Sequence, residues 1–500
     1  ANGTWSAAAL PDAGPSRPLP PRWTYLLPSL ELGRVLVLGE RSAPELAALS
    51  TRATDVMVVS PAGGGGGPCD LLVLDDPDAP HARSLLSRGG LAFVHGGRHP
   101  ARRALAALAG PEELLWILPI DRDIAAAAPA GDTEAVRFLR ARTERTGLAA
   151  RLRRGAVGSR TAALLGADIR RPPRYVCDVA ATAGISLARH RWALHAPGSY
   201  ASRKIVVFLF AGGRLEYVAK LTQDAAFNAR LENERRALED LAARGFAPGG
   251  EVPRVAFAGL HAGLAVVGET AAEGEPFRTR TTRRASCPLA GRAVELLVAL
   301  GTLAVTLGRA AAAAAELTAL LDRYARAYGL EPGHRRFLEE QIALVAASDA
   351  PFPRVRQHGD PGCWNFVATK DGRVALLDWE AAVAQGMPLW DLFYFMRSFA
   401  MTVSGGGRRA LRTFEQELLS DSELSRSLAG ATETLRARIA LRRELVLPLF
   451  FACWLHRAVK ESARLPPERL DRGHYARLLR LCIDARDAPA LRRLGAGAAG

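Results

Sequence analysis

The first part of the chain alternates short apolar runs with helical stretches. Apolar runs at 34–40, 55–60 and 70–76 predict three strands, and residues 85–95 add the end of a helix and a fourth strand. Apolar strands that alternate with helices are typical of a parallel sheet covered by helices on both faces. The pattern therefore predicts an α/β domain over residues 31–130.

The segments on either side of this domain have different patterns. Residues 1–30 contain a cluster of prolines and little periodicity, which is typical of a flexible tail. Residues 131–173 are rich in arginine and have a helical pattern that Pro172 and Pro173 interrupt. Because prolines break helices, we place a domain boundary there and interpret 131–173 as a helical linker.

The predicted α/β domain resembles a class I methyltransferase-like Rossmann fold. Such enzymes place a glycine-rich turn after the first strand and an acidic residue after the second, where it holds the ribose of the cofactor. Here the turn contains only Gly39, the second strand ends in Ser60, and the glycine run at 63–67 precedes a strand rather than a helix. We therefore expect a non-catalytic role, such as docking or acceptor presentation. The alternative is an S-adenosylmethionine-dependent methyltransferase.

A second pattern begins after Pro173. Residues 204–222 predict two strands around a turn at 211–213, and Lys220 ends the second strand. Most cations of this chain are arginines, so a lysine on an apolar strand indicates a compact ammonium that reaches phosphates. A lysine that merely extends to the surface is the alternative.

The next segment, 227–245, predicts a helix whose leucines share one face. Glu234 falls in the phase of those leucines, whereas Glu232 does not. We therefore expect Glu234 to turn inward and pair with Lys220. A solvated helix face is the alternative, with Glu232 as the other candidate partner.

The most informative segment contains His358, Asp360 and Asn365, and a predicted hairpin then leads to Asp378. Phosphoryl transfer needs a carboxylate that orients the acceptor and oxygen ligands that hold magnesium against the nucleotide phosphates. An Asp and an Asn five residues apart, with a second Asp after a hairpin, meet that need in protein kinases. The Asp-Gly turn at 370–372 is a strong hairpin signal, so we expect Asp378 to return beside Asn365.

This segment, HGDxxxxN followed by LLDWE, resembles the aminoglycoside phosphotransferase and choline kinase-like family, whose fold is that of protein kinases. The resemblance covers about residues 174–490. It implies an α+β bilobal kinase-like domain with an amino-terminal lobe at 174–275 and a carboxy-terminal lobe at 276–490. It also implies ATP and Mg²⁺ as cofactors.

The resemblance assigns roles to the residues of the motif. Asp360 would orient and deprotonate the acceptor hydroxyl, and His358, grouped with it in the catalytic loop, would brace that loop. Asn365 and Asp378 would be the magnesium ligands. The pair of Lys220 with Glu234 would bind the nucleotide.

Further residues complete the predicted nucleotide site. Ser199 and Ser202 lie where a loop covers the nucleotide in this family, although a simple turn is the alternative. Glu269 follows the strand 264–267 at the expected hinge that meets adenine. Asp391 starts an apolar helix, where a carboxylate is favoured. The resemblance implies a structural Asp at this position, and we expect it to accept backbone amides from the catalytic loop.

Composition limits the other classes of function. The formal net charge is +15, but the arginines are scattered, so we expect no nucleic-acid partner. The six cysteines lie far apart without a CxxC pair, which favours a reducing cytoplasm. The most apolar stretch, 293–308, is too short for a membrane span, and the start at Ala1 has no signal-peptide pattern.

The predicted function is an ATP-dependent phosphotransferase for a hydroxyl of a small molecule: a sugar, an aminoglycoside-like compound or an amino alcohol. Acidic residues in the segment 400–490 would suit a cationic acceptor, although a solvated helix face is the alternative: Glu415, Glu417, Asp421 and Glu423. The tryptophans at 364, 379 and 390 either belong to the core or wall the acceptor pocket. Two other functions stay open: a bifunctional protein with a methyltransferase domain, and a non-catalytic nucleotide-binding regulator.

Overall fold

The structure is a computed structural model of the 500-residue chain. It describes residues 19–38, 43–59, 69–74, 90–94, 109–120, 123–144, 160–196, 203–281, 286–404, 410–463 and 465–496. The described residues form two compact units. We call Ala13–Arg235 with Arg254–Ala271 the amino-terminal unit, and Arg236–Pro253 with Ala272–Gly500 the carboxy-terminal unit. Each is described by itself.

The amino-terminal unit is built on a single sheet of twelve described strands. They are β1 Leu32–Leu38, β2 Ala53–Val59, β3 Leu71–Leu74, β4 Leu91–Val94, β5 Leu114–Ile120, β6 Asp123–Pro129, β7 Arg160–Leu165, β8 Arg191–His195, β9 Ile205–Ala211, β10 Arg214–Leu221, β11 Val255–His261 and β12 Leu264–Thr270. Its helices are α1 Ala43–Ser50, α2 Thr133–Glu144, α3 Arg174–Thr182 and α4 Asn228–Ala243, whose last residues are counted with the carboxy-terminal unit.

The sheet is mixed, with the order β11-β12-β10-β9-β8-β6-β5-β7-β4-β3-β1-β2. Strands β1 to β4 pair in parallel, and every other described pair in the sheet is antiparallel. The four apolar runs read from the sequence are β1 to β4, as predicted. The runs LLVL and LAFV are buried almost throughout, as parallel strands covered on both faces require.

The predicted flexible tail is wrong from Arg22 onward, while residues 1–18 lie outside the described residues. Arg22–Leu26 forms a 3₁₀ turn whose Trp23 and Tyr25 are buried in the core of the amino-terminal unit. Trp23 stacks on Phe93 with ring centroids 4.6 Å apart. Prolines remove periodicity from the sequence, but aromatic side chains still gain free energy when they are buried.

The predicted helical linker is also only partly helical. It contains α2, but residues 160–165 form β7, which pairs with β4 on one side and β5 on the other. Pro172 and Pro173 precede α3 inside the amino-terminal unit. The chain instead passes between the units after Arg235, Pro253 and Ala271. The strands expected in two domains therefore share one sheet.

A shared core has a consequence for truncation. A chain that begins at Arg170 would lose β6, the sheet partner of β8, and would lose Trp23 and Phe93 from the core that also contains Trp192. Each fully buried apolar side chain contributes about 1.5–3 kcal/mol, and a domain has only about 5–15 kcal/mol in total. We expect this chain to be insoluble or to melt without cooperativity, as measured by soluble yield and circular dichroism.

The control for this truncation is a chain that begins at Leu19, which keeps every described residue and should stay soluble. A soluble chain from Arg170 with a cooperative thermal transition would contradict the shared core. It would support two separately folding domains with a boundary at Pro172 and Pro173.

The carboxy-terminal unit is mainly helical. Its helices are α5 Phe277–Arg280, α6 Pro288–Thr302, α7 Ala310–Tyr328, α8 Pro332–Ala346, α9 Trp390–Val403, α10 Ala410–Phe414, α11 Glu423–Arg438, α12 Val446–Ser462, α13 His474–Asp484 and α14 Pro489–Ala496. Its strands are β13 Glu275–Pro276, β14 Thr306–Gly308, β15 Phe352–Gln357, β16 Phe366–Ala368, β17 Val374–Leu376 and β18 Val383–Gly386. They form two three-stranded sheets, β13-β16-β17 and β14-β15-β18. Across the described part of the chain, no helix is both long and apolar enough to span a bilayer.

Candidate active site

The segment that carries the predicted catalytic residues leaves strand β15 at His358. Gly359 adopts a left-handed backbone with φ of 78°, and a Cβ there would lie 2.1 Å from the carbonyl oxygen of Ala381. Only glycine fits this position, because any side chain would meet backbone. The sharp turn at Gly359 lets the chain continue directly into Asp360.

Asp391 holds this turn from the first residues of α9. Its Oδ2 accepts the His358 amide at 2.6 Å, and its Oδ1 accepts the Gly359 amide at 3.1 Å. Burial raises the pKa of Asp391, although His358 and these two amides act in the opposite direction. The contacts are those expected of a structural carboxylate at a helix start.

His358 is buried beneath the loop. Its Nε2 donates to the Leu377 carbonyl oxygen at 3.0 Å, and its Nδ1 accepts the Asp360 amide at 3.2 Å. Burial lowers the pKa of His358, so the imidazole is neutral. In this neutral ring Nε2 carries the proton and donates, while Nδ1 accepts. The ring also packs edge-on against Trp379, with centroids 4.7 Å apart. His358 therefore links the loop to the end of the hairpin.

The hairpin predicted after Asn365 is formed by β16 and β17. Asn365 donates from Nδ2 to the Asp360 carbonyl oxygen at 2.8 Å, and its own carbonyl oxygen accepts the Leu377 amide at 2.8 Å. Asp378 follows with a left-handed backbone, φ 70° and ψ 66°. Because Leu377 pairs with Asn365, the hairpin places Asp378 one residue after that backbone contact.

Arg457 is a contact of this loop that the sequence analysis did not identify. It lies on α12, donates from Nη1 to Asp360 Oδ1 at 2.9 Å and donates from Nη2 to the Gly359 carbonyl oxygen at 3.0 Å. Its guanidinium carbon lies 3.3 Å from the centre of the Tyr394 ring. An arginine just after the apolar run that ends at Leu455, on the same helix, was the available signal, because a buried charge needs a partner.

The pKa of Asp360 is set by opposing effects. Burial raises it, but the Arg457 guanidinium, helped by Lys460 and His358, outweighs burial and leaves the pKa below its ordinary value. The Asp360 side chain is 31% exposed, whereas that of Arg457 is 6% exposed. Asp360 is therefore an ionised carboxylate that remains accessible from outside.

A second group of candidate residues lies in the amino-terminal unit around Lys220. Lys220 is on β10, between Val206 of β9 and Val267 of β12 in the sheet register. Its Nζ donates to Glu234 Oε1 at 2.6 Å, which is the pairing expected from helical phase. Glu232, the other candidate partner, instead bonds Arg235 on its own helix at 2.6 Å.

Two features of this group differ from the sequence analysis. Glu269 is not in a hinge but inside β12, opposite Val218, and both of its oxygens accept from Lys220 Nζ at 2.8 Å. Burial raises the pKa of Glu269 even though Lys220 acts to lower it. Lys204 joins the group unexpectedly, with Nζ 3.1 Å from Glu234 Oε2. Ser199 and Ser202 lie outside the described residues.

The tryptophans and acidic residues considered for the acceptor pocket differ in their exposure to solvent. Trp379 and Trp390 are buried, whereas Trp364 is 56% exposed and its ring lies 6.2 Å from that of Tyr394. Of the acidic residues considered for a cationic acceptor, Glu415 and Glu423 are exposed, and Asp421 pairs with Arg426 and Arg493. These three acids are therefore explained as a solvated and ion-paired surface, whereas Glu417 is half-buried.

The comparison with family models gives one match. Residues 200–424 match the phosphotransferase enzyme family, APH. The matched segment contains Lys220 with Glu234 and Glu269, and the catalytic loop with Asp378 and Asp391, whereas Arg457 lies beyond it. It has the kinase-like fold that the motif predicted. On this match the protein is a small-molecule kinase, which confirms the predicted enzyme class.

Solved structures also show similarity at low identity. The macrolide 2'-phosphotransferase MphH from Brachybacterium faecium is 17% identical, with 63% of this chain and 97% of that chain covered and a TM-score of 0.36. The choline kinase LicA from Streptococcus pneumoniae is 13% identical, with 58% and 92% covered and a TM-score of 0.33. A putative fructosamine-3-kinase from Haemophilus somnus is 12% identical, with 62% and 96% covered and a TM-score of 0.38. No curated protein matches the chain by sequence.

Proposed function

We propose that the protein transfers the γ-phosphate of ATP to a hydroxyl group of a small molecule, with Asp360 as the general base. The observation that carries this proposal is the environment of Asp360. An ionised carboxylate, 31% exposed, follows a tight glycine turn, and Asn365 bonds its backbone at 2.8 Å. Phosphoryl transfer depends mostly on positioning and charge stabilisation, and this loop is held from several sides.

Asn365 and Asp378 suit magnesium by their donor chemistry. Because the Asn365 Nδ2 is turned toward the Asp360 carbonyl oxygen, its amide oxygen is left for another partner. A carboxylate and an amide oxygen are ligands that Mg²⁺ prefers, and Mg²⁺ usually takes its other ligands from water and substrate phosphates. When bound there, the ion would neutralise charge on the phosphates. We propose these two residues as its protein ligands.

The proposed step needs one proton acceptor. The acceptor hydroxyl gives its proton to Asp360 while its oxygen bonds to the γ-phosphorus. The bond from that phosphorus to the bridging oxygen breaks, so the γ-phosphoryl group is transferred and ADP leaves. Asp391 and His358 take no part in proton transfer in this proposal, because the first holds backbone amides and the second is neutral and already bonded at both nitrogens.

We propose that Lys220 binds the nucleotide phosphates, positioned by Glu234 and Glu269. Lys220 has three donors, and three carboxylate oxygens of these two residues lie within 2.8 Å of its Nζ. The two glutamates give the buried ammonium a fixed place. Lys204, which also contacts Glu234, adds a second positive charge to the same group.

For strands β1 to β4 we propose a structural role only. Their parallel order, β2-β1-β3-β4, is compatible with the Rossmann-like resemblance, and we propose a non-catalytic role for them as an extension of the sheet. The turn at Gly39 and the end of the second strand at Ser60, on which cofactor binding would depend, lie outside the described residues. No observation favours methyl transfer.

The proposal also covers the cellular compartment and the binding partner of the protein. The six cysteines, all within the described residues, form no disulfide; this supports a reducing compartment, and we propose a cytoplasmic location. The proposed partner is a small hydroxylated acceptor rather than nucleic acid. Its class stays as broad as a sugar, an aminoglycoside-like compound or an amino alcohol.

The experiment that tests this function is a screen of hydroxylated metabolites for ADP release with the full chain. The panel should contain sugars, amino sugars, amino alcohols and antibiotics with free hydroxyls, each assayed with ATP and Mg²⁺. We expect at least one acceptor to raise ADP release above the rate without acceptor and to require Mg²⁺. Absence of any such acceptor, together with absence of ATP binding, would contradict the proposal.

Lys220 gives a prediction that separates its phosphate role from its structural one. Lys220→Ala should lower turnover by about 10²–10³-fold, the usual loss when one electrostatic donor is removed. It should also lower Tm, because breaking a buried ion pair costs about 3–5 kcal/mol. The double variant Lys220→Met with Glu269→Gln removes one charge of each sign and should melt closer to the wild type while remaining as inactive.

Lys370→Ala is the matched control, since Lys370 lies exposed in the hairpin turn. It should keep both activity and Tm. Recovery of turnover in the double variant would show that Lys220 has no role beyond neutralising the buried glutamates.

A further inference from the structure

We propose that Arg457 is a positioning residue for phosphoryl transfer: it holds the Asp360 carboxylate by one oxygen and so aims the other at the acceptor hydroxyl. This inference rests on the proposed function, because it assigns Asp360 as the base. It adds a residue from α12, 97 positions away in the sequence, to the catalytic loop.

The geometry of the contact carries the inference. The guanidinium donates through two different nitrogens, at 2.9 Å to Asp360 Oδ1 and at 3.0 Å to the Gly359 carbonyl oxygen. A planar group that spans a side chain and the preceding backbone carbonyl fixes the angle between them. The Asp360 carboxylate therefore has one set orientation relative to its own main chain.

Arg457 is itself held rigidly. The Tyr394 ring lies against one face of the guanidinium at 3.3 Å, and the side chain is only 6% exposed. Stacking on an aromatic face and burial both restrict the rotamers of an arginine. Arg457 can therefore transmit the position of α12 to the catalytic loop.

The choice of carboxylate distinguishes positioning from simple charge pairing. Asp391 is close enough to interact electrostatically with Arg457, and it is more deeply buried than Asp360. Arg457 nevertheless donates its hydrogen bond to Asp360, whose side chain is 31% exposed. Burying an arginine costs free energy unless its charge is compensated. Here Asp360 compensates the buried charge of Arg457, and Asp360 is exposed enough for an acceptor to reach it.

The ion pair with Arg457 lowers the basicity of Asp360, and phosphoryl transfer can proceed with a weak base. A neighbouring cation makes a carboxylate less basic, but the transition state is loose and needs little proton transfer before the phosphorus bond is well broken. The proton of the acceptor hydroxyl ends on the oxygen of Asp360 that faces it, while Arg457 stays charged on Oδ1. Orientation matters more than basicity in such a step.

The test compares Arg457→Lys and Arg457→Gln with the wild type. The assay measures ADP release from MgATP with water as the acceptor, and also with any acceptor found by screening. Lysine keeps the charge but cannot span two oxygens in a plane, so Arg457→Lys should lower kcat by about 10²-fold, the usual cost of misplacing a group by 1 Å. The KM for ATP should change less than threefold, because the contact is on the acceptor side.

Arg436→Lys is the matched control. Arg436 also bridges a carboxylate and a backbone carbonyl, with bonds to Glu433 at 2.7 Å and to the Leu441 carbonyl oxygen at 2.8 Å. It should keep kcat, since the carboxylate that it holds, Glu433, is not a residue of the catalytic loop. Equal losses of kcat and Tm in both variants would show that Arg457 has only a structural role.

A second readout does not depend on turnover. The pKa of Asp360 can be followed by NMR in a chain with ¹³C-labelled aspartate, assigned with Asp360→Asn. The titratable groups that act on Asp360 are Arg457 and Lys460 from α12 and the neutral His358 of the loop, which in turn is next to Asp391 of α9. Loss of the Arg457 charge in Arg457→Gln should raise this pKa and move the acid limb of the activity to higher pH.

The outcomes separate the two proposals. If the wild type neither hydrolyses ATP nor phosphorylates any acceptor, the proposed function fails. If the wild type is active and Arg457→Lys keeps kcat within twofold, only the positioning role fails. If Arg457→Gln does not fold, Arg457→Lys still decides, because it keeps the charge that pairs with Asp360.

Discussion

Asp360→Asn should reduce phosphoryl transfer by about 10²–10⁴-fold, the usual contribution of general base catalysis, while ATP binding stays nearly intact. Asparagine has the same shape and keeps an oxygen that can accept from Arg457, so the loop should not collapse. What it loses is the ability to take the acceptor's proton. Steady-state ADP release and calorimetric ATP affinity measure the two effects separately.

Asp371→Asn is the control for this change. Asp371 lies exposed in the hairpin turn of the same segment, where it bonds Arg373 at 2.6 Å. It should retain full activity. Turnover of Asp360→Asn within tenfold of the wild type would mean that Asp360 is not the base.

Asp378→Ala should eliminate activity and weaken Mg²⁺-dependent nucleotide binding. A magnesium ligand stabilises charge on the phosphates in both the ground state and the transition state, so its loss affects affinity as well as rate. Calorimetric titration with ATP in the presence and absence of Mg²⁺ gives the measurement. In the variant, the two affinities should approach each other.

The backbone of Asp378 requires a second variant. Its φ of 70° is uncommon for alanine but is tolerated by asparagine, so Asp378→Ala adds backbone strain to the loss of the carboxylate. Asp378→Asn removes the charge without that strain. Asparagine keeps one oxygen that could still reach the ion, so Asp378→Asn should weaken MgATP binding less than Asp378→Ala. If both variants bind MgATP with wild-type affinity, Asp378 is not a metal ligand.

Local patterns in the sequence predicted the parts of the structure that depend on neighbouring residues. The Asp-Gly turn predicted the hairpin between Asn365 and Asp378, and helical phase selected Glu234 over Glu232 as the partner of Lys220. These two inferences required only the geometry of one element or one turn. The structural role expected of Asp391 came from the family resemblance together with the preference of helix starts for carboxylates, and the bond to His358 fits it.

The features that the sequence analysis missed depend on contacts between distant segments. Arg457 reaches Asp360 across 97 positions, and no motif spacing connects α12 with the catalytic loop. Strand β7 was interpreted as part of a helical linker, because pairing with β4 and β5 decides its conformation more than its own composition does. Burial of Trp23 likewise depends on Phe93, which lies far along the chain.

Glu269 illustrates a different limit. The sequence placed it in a hinge because it follows an apolar run, but pairing extends β12 to Thr270 and turns the Glu269 side chain toward Lys220. The register of β10 and β12 places these two residues on one face of the sheet. Register is a property of the paired strands and could not be read from either strand alone.

Transfer of label from γ-labelled ATP to an acceptor, measured for the full chain and for Asp360→Asn, tests the proposed function most directly. We expect the wild type to place the label covalently on a hydroxyl of a small molecule in a Mg²⁺-dependent reaction. At equal ATP occupancy, Asp360→Asn should transfer at least tenfold less. Equal label transfer by the two proteins would show that Asp360 is not the base, and a wild type that binds ATP but labels no acceptor and releases no phosphate would show that the protein is not a phosphotransferase.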